Sequence, residues 1–145
     1  MFRHILLPTD GSPLSERSAL GAIELAKALS ARVTAINVSD PFHVFPANPA
    51  AVKDTAESYK KDCEKRAAAY LDGVGKAAAA AGVAFDRVHV YSERAYAAII
   101  AAAYEKGCDA ICMASHGRTG LAAVFLGSVT VEVLTHSRIP VVVWR

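Results

Sequence analysis

The sequence predicts an α/β domain built on an open parallel sheet of five strands, with helices on both faces. Three observations carry this. Short apolar runs closed by turn residues alternate strictly with segments of helical patterning, in the order β-α-β-α-β-α-β-α-β. Such alternation implies parallel strands joined by right-handed crossovers, with helices on both sides of the sheet. The fourth and fifth runs, AICMA at 110–114 and VVVW at 141–144, are continuously apolar, as strands covered on both faces are. Finally, 145 residues with 53% hydrophobic and 21% charged side chains suit one globular domain with a core that needs no disulfide or metal.

Each element has its own signal. The first strand is Ile5-Leu6-Leu7, ended by Pro8-Thr9-Asp10-Gly11. Ser12 followed by Pro13 is a hydroxyl N-cap with proline at the first helical position. The helix it opens carries Leu20, Ile23, Ala26 and Leu29 at helical spacing and ends near Ser30. Residues 32–38 form the second strand. The loop at 39–49 contains Pro41, Pro46 and Pro49, which forbid a regular helix there. A long helix follows over 51–81, weakened in the middle by Gly73 and Gly75 and ended by Gly82. Residues 83–91 alternate and form the third strand, whose alternation marks it as a sheet edge. A helix over 95–106 stops at Gly107, and a last helix spans 128–136 before the fifth strand.

The bulk numbers exclude several function classes. Sixteen basic and fourteen acidic side chains leave a net charge of +2, which argues against a dedicated nucleic-acid or membrane surface. The three cysteines, Cys63, Cys108 and Cys112, form no CxxC pair and have no zinc-like spacing. Cys112 reads as a small buried hydrophobe, whereas Cys63 lies in a charged helical stretch and is expected to be exposed. The N-terminus runs straight into a strand without signal-peptide architecture, so a cytoplasmic location is expected. There is no P-loop motif, no G-x-G-x-x-G after the first strand and no G-x-S-x-G elbow.

Ligands of such sheets sit beyond the carboxyl ends of the strands, where the strand order reverses. Three segments follow strand ends there: residues 8–12, 38–40 and 113–128. In the third, Gly117 and Gly127 flank one loop, and Gly127-Ser128 opens a helix whose free N–H groups and dipole favour phosphate. Ser128 and Thr130 bring hydroxyls, and Arg118 is the best positive charge near the loop. Asp10 ends the first strand, either as a ribose ligand or as an Asx-turn closing the corner. His116 is the one histidine in the loop, and it reads either as a functional group or as a solvated loop residue.

ILLPTDGS at the start, the strand ending in Val38, and MASHGRTGLAAVFLGSVTVEVLTHSRIPVVVW at the end resemble the universal stress protein family across essentially the whole chain. The nucleotide-binding members carry G-x2-G-x9-G-[ST]. Gly117 and Gly127-Ser128 match it, with nine residues, 118–126, between them, but Ala114 stands at the first glycine position. If that position requires positive φ, alanine costs about 1 kcal/mol; if not, its methyl only narrows the approach to the ligand. The resemblance implies a Rossmann-like single domain over 1–145 with strand order 3-2-1-4-5. It also implies that Asp10 contacts ribose, Pro8 and Thr9 line the adenine side, and Val38 meets adenine through its backbone. Met113, Ala114 and Gly117 would line ribose and phosphates, and Gly127, Ser128, Val129 and Thr130 would hold the phosphates. ATP, or AMP or ADP, is the implied ligand, with Mg2+ or Mn2+ through its phosphates. A homodimer through Val141, Val142 and Val143 is implied as well, since an apolar edge strand needs covering.

Three functions compete. The first is an ATP-binding stress regulator with slow hydrolysis at most, since no clear general base stands beside the phosphate loop; Asp40 and His116 are weak candidates. The second is a dimeric interaction protein that does not use nucleotide. The third is an enzyme cleaving between α- and β-phosphates, which the Asp10-Gly11-Ser12-Pro13 turn disfavours because such enzymes show Ser-Gly-Gly there.

Overall fold

The computed structural model describes residues 1–43, 49–117 and 125–145; side chains are described from residue 55 onward in the second helix. The elements are β1 (His4–Pro8), α1 (Pro13–Leu29), β2 (Arg32–Ser39), α2 (Pro49–Ala81), β3 (Phe85–Tyr91), α3 (Ala95–Glu105), β4 (Ala110–Ala114), α4 (Ser128–His136) and β5 (Val141–Trp144). The five strands form one parallel sheet of order β3-β2-β1-β4-β5. β3 is an edge, as its alternation predicts, and β5 is the other.

Strand periodicity divides the core. Ile5 and Leu7 of β1 face α1 and α2 with Val33, Ala35 and Cys112, while Leu6 faces the other side with Ile36, Ile111 and Met113. On that second face Ile99 and Ala103 of α3 and Val133 of α4 complete the packing. The sheet therefore buries both surfaces, as a parallel sheet must.

Several boundaries differ from expectation for local reasons. β3 starts at Phe85, two residues late, because the amides of Gly82 and Val83 close the α2 C-terminus on Ala79 and Ala78 carbonyls. β2 runs on to Ser39, whose carbonyl accepts from the Ser92 amide. α2 starts at Pro49 and passes through Gly73 and Gly75 unbroken. Tertiary packing outweighs the glycine cost here: the face Cys63, Ala67, Leu71, Val74 and Ala78 is buried throughout.

That face corrects the expectation for Cys63. It is 1% exposed, because helical spacing places it on the inner stripe while its charged neighbours turn outward. The Arg66 guanidinium donates to its Sγ at 3.4 Å. Cys108 and Cys112 are buried as well, and burial pushes both thiols up to about 11. All three cysteines are free.

Two glycines in helices have opposite surroundings. A Cβ at Gly21 would run into the Trp144 ring, the nearest atom at 2.5 Å, so the bare backbone of α1 is the seat of that indole. A Cβ at Gly73 would meet nothing within 4 Å. Gly73→Ala is therefore expected to stabilise by about 0.5–1 kcal/mol, the ordinary helix gain. Gly21→Ala is expected to destabilise by about 1–3 kcal/mol despite the same propensity gain. Urea denaturation measures both, and a stabilising Gly21→Ala would contradict the packing described.

His4 is 8% exposed and its Nε2 lies 2.7 Å from Thr34 Oγ1. Burial, with Arg32 nearby, holds its imidazole below the usual histidine value. Burial does the same to His89, whose Nε2 is 2.9 Å from Ser39 Oγ. Both groups bind protons less readily when folded than when unfolded, so stability is lost as pH falls through the ordinary histidine range. Unfolding free energy is expected to drop between about pH 7.5 and about pH 5.5, with a shallower slope in His4→Gln. Denaturant midpoints across that window check it; an unchanged slope in His4→Gln would rule His4 out as a source.

Candidate functional site

The chain order around the sheet reverses between β1 and β4, which opens a crevice beyond their carboxyl ends. A cavity of about 500 Å³ lies there, within the range of small-molecule sites. Its wall takes residues from the ends of β1, β2 and β4 and from the first turns of α3 and α4.

The β1–α1 turn is built from local polar geometry. Ser12 Oγ accepts from the Ser15 amide at 3.2 Å and caps α1, with Pro13 at the first helical position. Asp10 Oδ1 accepts from the Ser12 amide at 3.0 Å, so the Asx-turn exists. Gly11 takes φ +72°, and the Tyr70 ring fills the space where a Cβ would stand. Asn37 Nδ2 donates to the Thr9 carbonyl at 2.8 Å, and Thr9 Oγ1 lies 3.2 Å from Ser15 Oγ. Both residues are buried, so these bonds hold Asp10 at the cavity edge. Sequence reading missed Asn37. The available signal was one amide between two apolar residues near the carboxyl end of the strand RVTAINV.

The Asx-turn leaves Asp10 Oδ2 directed at the opposite wall. A Cβ at Gly117 would overlap that oxygen, so Asp10 and Gly117 are in direct apposition across the cavity. Gly117 is required first for room beside the carboxylate.

α4 opens without a side-chain cap, since its N-cap is Gly127. The Gly127 amide donates to Ser115 O at 2.6 Å, and Thr130 Oγ1 donates to Ala114 O at 2.9 Å. These bonds fix the helix start against the end of β4. They also commit the Thr130 hydroxyl proton to the protein. The backbone N–H groups of Ser128, Val129 and Thr130 have no protein acceptor among the described residues, and all three residues line the cavity.

Of the residues singled out in the sequence, Pro8, Thr9, Asp10, Val38, Met113 and Ala114 line the cavity on the strand side. Gly117, Gly127, Ser128, Val129 and Thr130 line it on the loop and helix side, and His116 joins them. Arg118, like Val44, Phe45 and Pro46, lies outside the described residues. Ile36, Ala95, Ile99, Phe125 and Leu126 complete an apolar part of the wall that sequence reading did not assign. Ala114 has ordinary strand backbone: among described non-glycine residues only Ser30 has positive φ. Alanine at this glycine position therefore carries no left-handed strain. Asp40 does not line the cavity; its carbonyl accepts from the Tyr59 hydroxyl at 2.7 Å. Among the described residues no cluster of three His, Cys, Asp or Glu could hold a metal, and no helix is long and apolar enough to cross a membrane.

Comparison with known proteins agrees with this architecture. The family model of the universal stress protein family matches residues 1–145. The universal stress protein MJ0531 of Methanocaldococcus jannaschii is 34% identical over 147 residues, covering 99% of this chain and 82% of that protein. Among solved structures, the hypothetical protein MJ0577 superposes with a TM-score of 0.79 at 27% identity, covering 99% of this chain and 95% of its own. A universal stress protein solved in complex with cAMP has a TM-score of 0.69 at 24% identity, covering 99% and 97%, a likeness of fold. The chain belongs to the universal stress protein family.

Proposed function

We propose that the protein binds an adenine nucleotide, ATP or its shorter forms ADP and AMP, in this cavity and acts as a homodimeric stress-response regulator. The observation that carries the reading is the uncapped start of α4. Three N–H groups without an acceptor among the described residues, and the positive end of the helix dipole, open into a cavity whose other wall is largely apolar. That combination suits a ligand with a flat apolar base at one end and phosphate at the other. Val38, Ile36 and Ile99 offer the base a surface, and Asp10 offers a ribose an acceptor. A protein of the same fold has been solved with cAMP, which supports an adenine ligand here.

Asp10 is the one carboxylate lining the cavity among the described residues, and it already accepts from the Ser12 amide. A Mg2+ or Mn2+ ion would arrive with the phosphates, which supply most of its oxygen ligands. Slow hydrolysis at most is the activity proposed, because among the described residues the one carboxylate on the cavity wall is engaged in the Asx-turn. The homodimer would form along β5. This strand is a free sheet edge of Val141, Val142 and Val143, and α4 beside it exposes Val131 and Leu134.

Mass analysis of the supernatant from protein purified without added nucleotide and then denatured tests the site first, followed by titration with Mg-ATP and AMP. Co-purifying or saturable adenine nucleotide is expected. An empty protein whose melting temperature does not respond to nucleotide favours the nucleotide-independent dimer. Gly117→Ala is expected to weaken binding about tenfold or more, because the methyl displaces Asp10. Ala114→Gly is expected to cost about 0.5–1 kcal/mol of stability and to change affinity less than about threefold, since no strain is relieved. Parallel denaturation and binding curves separate these; a large affinity gain in Ala114→Gly would show that the methyl obstructs the ligand.

A further inference from the structure

The charge on the cavity wall is sparse. Among the described residues lining it, Asp10 is the only acidic side chain and His116 the only one able to carry positive charge. The other polar groups, Thr9, Ser128 and Thr130, are neutral hydroxyls, and the α3 contribution, Ala95 and Ile99, is apolar. Among the described residues, the groups of this wall that could meet a phosphate at the α4 start are the helix N–H groups, the Ser128 hydroxyl and one imidazole.

The backbone places that imidazole beside the helix start. A Cβ at Gly127 would stand 3.1 Å from His116 Cα, so the α4 N-cap packs directly on His116. Ser115, 5% exposed, holds its Oγ 3.2 Å from His116 Nδ1, which fixes the ring through one nitrogen. Nε2 makes no hydrogen bond among the described residues. The second nitrogen is left to a ligand. Imidazole is the side chain that gains its charge within the physiological pH range.

We propose that protonated His116 is the cation that meets the nucleotide phosphate, making the affinity of this site follow the charge on one imidazole. This rests on the adenine-nucleotide reading above and adds a pH response to it. Ser115 Oγ contacts the ring, and the other polar residues that share the cavity wall with His116 among the described residues are Thr9 and Asp10 from the β1–α1 turn and Ser128 and Thr130 from α4. Arg118 lies outside the described residues, but a guanidinium is charged at every pH in question and creates no slope.

The test uses cAMP, whose single phosphate charge is constant near neutrality, with adenosine as the phosphate-free control. Dissociation constants are measured by calorimetry from about pH 6 to about pH 8 at fixed ionic strength, with EDTA present. Wild-type affinity for cAMP is expected to fall about tenfold across that range, the size of one charge-assisted hydrogen bond, while adenosine affinity stays level. His116→Gln is expected to bind cAMP with a flat profile near the wild-type value at high pH. His116→Arg is expected to give a flat profile with tight binding throughout, and it serves if the glutamine variant folds poorly. A flat wild-type profile, a slope that survives in His116→Gln, or an equal slope with adenosine would overturn the role of His116 and leave nucleotide binding standing. Failure of both ligands to bind at any pH would overturn the nucleotide reading and this inference with it.

Discussion

Ile5, Leu6, Leu7, Ile111 and Cys112, at the middle of the sheet, have no exposure at all. A parallel sheet this dry must be covered on both faces, so α1 and α2 lie on one side of it and α3 and α4 on the other. Covering both faces forces the chain to leave β1 in one direction, return, and continue on the other side at β4. The crevice beyond β1 and β4 is a by-product of that reversal. The site is thus fixed by a packing requirement before any polar residue is chosen.

The polar residues then divide into those that build the crevice and those left over for a ligand. Asn37, Thr9, Ser15 and Ser12 spend their hydrogen bonds on the β1–α1 turn. Gly127 and Thr130 tie α4 to the end of β4. Among the described residues of the crevice, the groups left without a hydrogen-bond partner include the first amides of α4 and His116 Nε2. Rigid support under a few unsatisfied groups is the arrangement that binding sites need, because the support keeps the donors from turning to each other. The motif glycines serve this framework as much as a ligand. Gly117 makes room for Asp10, and Gly127 lets the helix start lie against His116.

Much of this was legible in the chain. Strict alternation gave the layer order, and the run AICMA gave a buried central strand because nothing polar interrupts it. The Gly117 and Gly127-Ser128 spacing singled out residues that line the crevice beyond β1 and β4. Three features were hidden for physical reasons. The face of α2 that buries Cys63 carries only Leu71 and Val74 as large apolar groups beside alanines, so its hydrophobic contrast around Cys63 is too low to stand out against lysine and glutamate. Gly73 and Gly75 read as weak points of the helix, but Gly75 sits under the Phe85 ring, a contact between residues on different elements. Asn37 acts on a turn 28 positions earlier in the chain, a long-range relation that no local pattern encodes.

The burial of the three thiols has a practical side. Cys63 lies under α2, Cys108 at the foot of the sheet before β4, and Cys112 in its centre, none more than 6% exposed. A thiolate is the reactive form, and two of these thiols are held well away from it. Oxidants and alkylating agents therefore act on this molecule only at the rate at which its parts open. Each cysteine is a clock for a different region, and the order in which they react with a colourless alkylating reagent gives the order in which the fold comes apart.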